Sequence, residues 1–276
     1  MVVRSVKLAT GFEFPYVEQG DPSGVPIVLL HGFAGTWRSF TSVLRHLPES
    51  VHTLAMTQRG HGEASKPDEG YRVRDFAADL AAFMDALELP PAVVVGASSG
   101  GFAARRFAID HPDRTLGLVL LGTPAALRGK PQVEEMWEST VSQLTDPVDP
   151  AFVGQFIEGA VGPSAADRKV KEVVEYTLKL PARVWRQVNR GLLEDNTLDR
   201  LEEIAAPTLI VSGAQDPLSP RSEQERLAAR IPDARLVVYA DAGHTFYYEK
   251  PERVAADLAT FLEDLAHGSV ADRVTH

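Results

Sequence analysis

The chain has 276 residues, of which 44% are hydrophobic and 24% charged, a balance that suits one large α/β domain with an insertion. A formal net charge of −10 argues against a phosphate-backbone partner, so no nucleic acid is expected. No apolar run is long enough to span a bilayer, the first residues lack a signal-peptide core, and the absence of cysteine removes disulfides and thiolate metal sites; a cytoplasmic location is expected.

Val3–Ala9 and Phe12–Glu18 are predicted as two strands turned at Thr10-Gly11. Pro26–Leu30 is apolar throughout, which predicts a strand buried on both faces, and it runs into His31-Gly32-Phe33-Ala34-Gly35. The spacing of Phe40, Val43, Leu44 and Leu47 predicts a helix, and Val51–Met56 a further strand. A polar, glycine-rich loop follows, Thr57-Gln58-Arg59-Gly60-His61-Gly62-Glu63-Ala64-Ser65. Val73, Phe76, Ala77, Leu80, Phe83, Met84 and Leu87 then form one helical stripe, which Pro90-Pro91 ends.

Ala92–Val95 is small and β-branched, as a buried parallel strand requires. Gly96-Ala97-Ser98-Ser99-Gly100 then matches G-x-S-x-G, and Phe102–Ala108 reads as a helix. Strand, tight turn and helix are the context in which this motif presents a serine hydroxyl above a sheet edge, with a helix N-terminus aimed at the reacting oxygen. Ser99 is a rival nucleophile, but its frame puts Ala97 where Gly96 stands for Ser98.

Leu116–Leu121 is another buried strand. From Pro124 to Ile204 the strand pattern disappears and helical stripes replace it: Val133, Met136, Trp137, Val141, Leu144; Val170, Val173, Val174, Thr177; and Val184, Trp185, Val188, Leu192. Asp146-Pro147 and Gly162-Pro163 interrupt them. Residues 124–204 are therefore expected to form a helical cap inserted between two parts of one core, 1–123 and 205–268. Strands resume at Pro207–Ser212, which leads to Gly213-Ala214-Gln215-Asp216, and at Leu236–Tyr239, which leads to Asp241-Ala242-Gly243-His244. A helix follows Ser219-Pro220, Val254, Leu258, Phe261, Leu262 and Leu265 mark the closing helix, and residues 269–276 are expected to fray.

Strands alternating with helices predict an α/β fold: a mostly parallel eight-stranded sheet with helices on both faces. In such sheets ligands bind at the carboxyl ends of the strands, which is where His31-Gly32-Phe33, Ser98, Asp216 and His244 fall.

With these motifs and their order, serine, acid, histidine, the chain resembles the α/β-hydrolase superfamily, in particular its cap-bearing, esterase-like members. The resemblance rests on His31-Gly32-Phe33, Arg59-Gly60-His61-Gly62, Gly96-Ala97-Ser98-Ser99-Gly100, Gly213-Ala214-Gln215-Asp216-Pro217 and Ala242-Gly243-His244. It implies Ser98 as nucleophile, His244 as its base and acid, Asp216 as the residue that orients the imidazole, and the N–H groups of Phe33 and Ser99 as oxyanion hole. Asp241 is nearer His244 in sequence and is the competing acid. His31, Arg59 and His61 are expected to brace their loops. Two positions depart from the family pattern: Thr57 where relatives often carry aspartate before the Arg-Gly loop, and Ala97 where many carry a larger side chain.

No H-x-x-x-H pair is present, so no metal is expected, and no cofactor. Trp137, Phe156 and Trp185 are the candidates for a substrate pocket over Ser98. The expected substrate is a small-molecule carboxylic ester or lactone. Carbon–carbon bond hydrolysis, perhydrolysis or a lyase step on the same residues, and small-molecule sensing by a hydrolase-like receptor, remain open alternatives. The sequence does not fix an oligomeric state.

Overall fold

A computed structural model describes residues 1–161 and 167–268, so the tail and the Gly162-Pro163 interruption lie outside the described residues. Eight strands form one sheet: β1 (Val3–Lys7), β2 (Glu13–Gln19), β3 (Pro26–Leu30), β4 (His52–Met56), β5 (Ala92–Ala97), β6 (Thr115–Leu121), β7 (Thr208–Gly213) and β8 (Ala234–Tyr239). Their order is β1-β2-β4-β3-β5-β6-β7-β8. The β1–β2 and β2–β4 pairs are antiparallel and every later pair is parallel. Every residue of β3, β4, β5 and β7 is buried, as strands covered on both faces must be.

Among the described residues ten α-helices connect or follow the strands: α1 (Thr41–Leu44), α2 (Val73–Ala86), α3 (Gly100–Asp110), α4 (Pro131–Ser139), α5 (Pro150–Val161), α6 (Asp167–Thr177), α7 (Ala182–Leu193), α8 (Arg221–Arg230), α9 (Phe246–Glu249) and α10 (Pro251–Ala266). Alternation along the strands divides the core. Val28 and Leu30 join Leu80, Phe83, Ala104 and Phe107 of α2 and α3 on one face. Ile27 and Leu29 join Val43, Val254, Leu258 and Phe261 of α1 and α10 on the other.

The stretch expected as one helix around Phe40–Leu47 is shorter and broken. A 3₁₀ turn, Trp37–Phe40, is capped by Thr36 Oγ1, which accepts from the Arg38 N–H at 3.2 Å, and only the four residues of α1 follow. Phe40, Val43, Leu44 and Leu47 are all buried, so the spacing identified the correct face. The chain must turn at Pro48 to enter β4, which leaves no room for further helical turns.

Between β6 and β7 the described residues leave the sheet and are mostly helical. The stripe from Val133 to Leu144 is divided into α4 and a 3₁₀ turn at Val141–Gln143, because Thr140 adopts a non-helical φ of −137°. Helix α5 was not expected from the stripes; Asp149 starts it, its Oδ1 accepting from the Ala151 N–H at 2.9 Å, ahead of Pro150 in the first turn. Val153, Ile157, Val173, Tyr176, Val184, Trp185 and Val188 of these helices pack on Ala34, Tyr71, Val73 and Phe102. Thr177 Oγ1 donates to Ala34 O at 3.2 Å, and Thr245 Oγ1 to Val161 O at 2.9 Å, so the helical segment is tied to loops at the carboxyl ends of the strands.

Candidate active site

The centre of the site is the turn between β5 and α3. Ser98 has φ of +48°, a left-handed conformation that costs a side chain with a Cβ on the order of 1–2 kcal/mol. Its N–H donates to Leu121 O at 2.8 Å, which fixes the turn to β6. Close approach, of backbone at Gly96 and Gly100 and of the Thr123 side chain at Gly101, explains the glycines around it. A Cβ on Gly96 would lie 2.5 Å from Gly101 Cα, one on Gly100 2.4 Å from Leu30 O, and one on Gly101 1.9 Å from Thr123 Oγ1. Gly101, one residue beyond the motif, is as constrained as the two glycines that define it.

Sheet topology carries two distant residues to this turn. Asp216 follows β7 and His244 follows β8, and the two loops interlock through Gln215 N–H donating to Ala242 O at 3.0 Å. Gly213 permits the contact, since a Cβ there would lie 2.3 Å from both Ala242 O and Gly243 O. His244 Nε2 stands 2.9 Å from Ser98 Oγ, and His244 Nδ1 stands 2.7 Å from Asp216 Oδ2. Asp216 Oδ1 accepts from the N–H groups of Leu218 and Ser219 at 2.8 and 3.0 Å, and the Ser219 hydroxyl donates to Oδ2. Burial by itself raises this carboxyl, but the bonds and charge supplied by His244 and Ser219 outweigh it and hold its pKa below the usual value. Asp241, the competing acid, is exposed and binds Lys250 at 2.6 Å.

Phe33 and Ser99 flank Ser98 along the same cavity. Among the described residues, neither backbone N–H donates to an internal acceptor, so both are available to a ligand. The loop that carries Phe33 is held from behind. His31 Nε2 accepts from the Gln58 N–H at 3.0 Å, its Nδ1–H faces Gly32 O at 2.8 Å, and Gln58 Nε2 donates to His31 O at 2.7 Å. Arg59 is fixed by Asp79, with both Nε and Nη2 at 2.5 Å, which secures the neighbouring loop. Burial pushes His31 far below the ordinary histidine range and His61 down to about 4, so both rings are neutral at pH 7.

A cavity of about 750 Å³ opens above Ser98 and His244. Loops of the core form its floor; Val133, Met136, Phe156, Val173 and Leu192 from the helical segment form its roof. Of the three aromatic residues expected there, Phe156 lines it. Trp185 is fully buried behind the lining, with its ring centroid 4.9 Å from Phe156 and 4.8 Å from Phe33. Trp137 is not among the lining residues; on its helix Val133 and Met136 face the cavity instead. Periodicity places Val133, Met136 and Trp137 in one stripe without fixing how their helix is rotated against the core, so it does not tell which of them faces the cavity. Among the described residues no group of three or more histidine or acidic side chains is arranged to hold a metal, and no helix is long and apolar enough to cross a membrane.

A mostly parallel eight-stranded sheet with a strand–serine–helix elbow at its centre defines an enzyme of the hydrolase type. The chain belongs to the α/β-hydrolase fold family, which residues 25–251 match. It is 32% identical to a provisionally named carbamate hydrolase, RutD, of Caulobacter segnis, over 90% of this chain and 96% of that one. It is 30% identical to a pimeloyl-[acyl-carrier protein] methyl ester esterase of Aromatoleum aromaticum, over 88% and 98% of the two chains. Among solved structures it is similar to a hydrolase from Pseudomonas aeruginosa, with a TM-score of 0.84 and 25% identity over 94% and 98% of the chains.

Proposed function

We propose that this hydrolase cleaves a carboxylic ester or lactone of small to medium size through an acyl-enzyme, with residues 124–204 as a cap over the site. The observation that carries the reading is the unbroken relay from Ser98 Oγ through both ring nitrogens of His244 to Asp216, at 2.9 and 2.7 Å. A serine hydroxyl is a poor nucleophile at neutral pH unless a base takes its proton as it attacks. His244 Nε2 is within reach to do so, while Asp216 keeps the proton on Nδ1 and stabilises the imidazolium. Ser98 Oγ bonds to the ester carbonyl carbon, and the carbonyl oxygen gains negative charge beside the free N–H groups of Phe33 and Ser99. As the tetrahedral intermediate collapses, His244 gives its proton to the departing alkoxide. Water then repeats the sequence on the acyl-enzyme and frees the acid and Ser98 Oγ. The cavity volume suits a medium-sized substrate, and the esterase among the chain's relatives supports ester chemistry.

The test is a panel of activated esters graded by acyl length, run on wild type and Ser98→Ala. Wild type is expected to turn over at least one ester, and Ser98→Ala to lose nearly all of that activity with its unfolding curve unchanged. Undiminished turnover in Ser98→Ala, or turnover of a vinylogous diketone or of peroxide with no ester hydrolysis, overturns the reading.

A further inference from the structure

Resting on that reading, one end of the cavity carries a second determinant. Ser39, Tyr247 and Tyr248 line it there, and Tyr176 stands behind them on α6. Ser39 is 2% exposed and Tyr176 5%, yet among the described residues neither hydroxyl has a hydrogen-bond partner; Ser39 Oγ lies near the Tyr176 and Tyr248 phenols without bonding geometry. Buried hydroxyls are ordinarily satisfied, and leaving one unpaired costs about 1–3 kcal/mol. The remainder of the wall near Ser98 is chiefly apolar: Phe33, Phe102, Leu127, Val133, Met136, Phe156.

We propose that this hydroxyl cluster is a subsite for an uncharged hydrogen-bond acceptor, such as an ether, a hydroxyl or a carboxamide oxygen, borne by the substrate beyond its scissile carbonyl. Burial raises the phenol pKa of Tyr176, Tyr247 and Tyr248, so all three keep their protons as donors at neutral pH. A carboxylate is disfavoured. Among the described residues no lysine or arginine lines the cavity, and Asp241 and Glu249 stand on its rim. Lys169, 4.9 Å over the Tyr248 ring, already donates to Arg38 O at 3.1 Å and to Glu172 at 3.3 Å. An anion placed there would be desolvated without a counter-ion.

The test compares 4-nitrophenyl esters of equal chain length ending in alkyl, methoxy, carboxamide or carboxylate, with a matching series varied on the alcohol side. Two readouts are taken: kcat/KM, and the Kd for Ser98→Ala by calorimetry. In one of the series the methoxy or carboxamide chain is expected to exceed its alkyl isostere by roughly five- to tenfold in both readouts, with the carboxylate weakest. Ser39→Ala and Tyr248→Phe are expected to bring the ratio of polar to alkyl ester toward one in both readouts. The proposal is overturned if no polar preference exists, if it survives both substitutions, or if the carboxylate binds best. Binding decides the subsite even where turnover is absent; turnover that persists in Ser98→Ala counts against the serine mechanism alone.

Discussion

The guanidinium of Arg105, fully buried on α3, lies 3.7 Å from the carboxylate of Asp195, where the helical segment ends. The same side chain donates to Pro124 O at 3.4 Å and Ala125 O at 3.1 Å, where the segment begins. One residue on the helix that starts at the Ser98 turn thus grips both flanks of the cavity roof. Burial lowers its pKa to about 10, which still leaves it charged at neutral pH.

Removing that charge leaves Asp195, whose side chain is 5% exposed, without its counter-ion and, among the described residues, held only by Thr197. Arg105→Met is therefore expected to destabilise the protein by about 3–5 kcal/mol, read from urea unfolding. The roof loosens while the elbow stays in place, so KM is expected to rise more than kcat falls. An unchanged unfolding midpoint refutes the clamp.

In the proposed mechanism Asp216 acts on the reaction through its bond to His244, so its effect belongs in kcat. Asp216→Asn keeps the shape and can still occupy the hydrogen-bond positions, but its amide NH₂ directs the wrong face at Nδ1 and favours the wrong imidazole tautomer. A loss of about 10³–10⁴ in kcat with little change in KM or Tm is expected from steady-state kinetics and thermal unfolding. Asp241→Asn, whose side chain binds Lys250, is expected to keep nearly full activity.

Phe33 supplies a candidate oxyanion donor from its backbone, while its ring is held 4.8 Å from Trp185 and 5.7 Å from His61. Trp185→Leu leaves a void behind that ring. It is expected to cost about 3 kcal/mol of stability and to lower kcat about tenfold or more, since small misplacement of a donor is expensive. Phe156 touches the cavity directly, so Phe156→Ala is expected to shift the acyl preference of an ester panel toward longer chains and to spare kcat on the best of them. An identical response from both variants contradicts the separation of roles.

Much of this arrangement was legible in the chain itself. Strands such as Pro26–Leu30 are apolar at every position because both faces are covered, so continuous apolar runs located the sheet and its carboxyl ends. The motif glycines located the elbow because backbone packs on backbone there, whereas Gly101 is constrained by the Thr123 side chain, a contact that no local pattern singles out. The cavity roof was less readable. Which of Val133, Met136 and Trp137 faces Ser98 depends on how α4 is rotated against the core, and periodicity fixes a face only relative to itself. Helix α5 has a stripe of its own, Val153, Ile157 and Val161, but Phe152, Phe156 and Ala160 beside it make the segment apolar nearly throughout and blur the period. The pairing of Arg105 with Asp195 spans ninety residues of sequence and leaves no local trace.

The paired rings of His31 and His61, 4.9 Å apart, make stability depend on pH in a defined window. Burial, and for His31 the neighbouring ring, keep both neutral in the folded protein, with His61 lowered from 6.5 to about 4. In the unfolded chain each takes a proton near pH 6.5, so below that value the unfolded state binds more protons and stability falls with falling pH. Each ring contributes up to about 1.4 kcal/mol per pH unit in this window, and His61 on the order of 3 kcal/mol by the time the pH reaches about 4, where the folded state also protonates. Asp216 has the opposite sign of charge but not of slope: its lowered pKa stabilises above the unfolded value of 3.8 and is lost as pH falls through the folded one, so its window lies below that of the histidines. His61→Asn places an amide donor where Nδ1 faces Arg59 O at 2.9 Å, and removes one titration. Urea unfolding between about pH 7 and about pH 4.5 is expected to show a shallower loss of stability for this variant than for wild type. Parallel curves place the proton uptake elsewhere in the molecule.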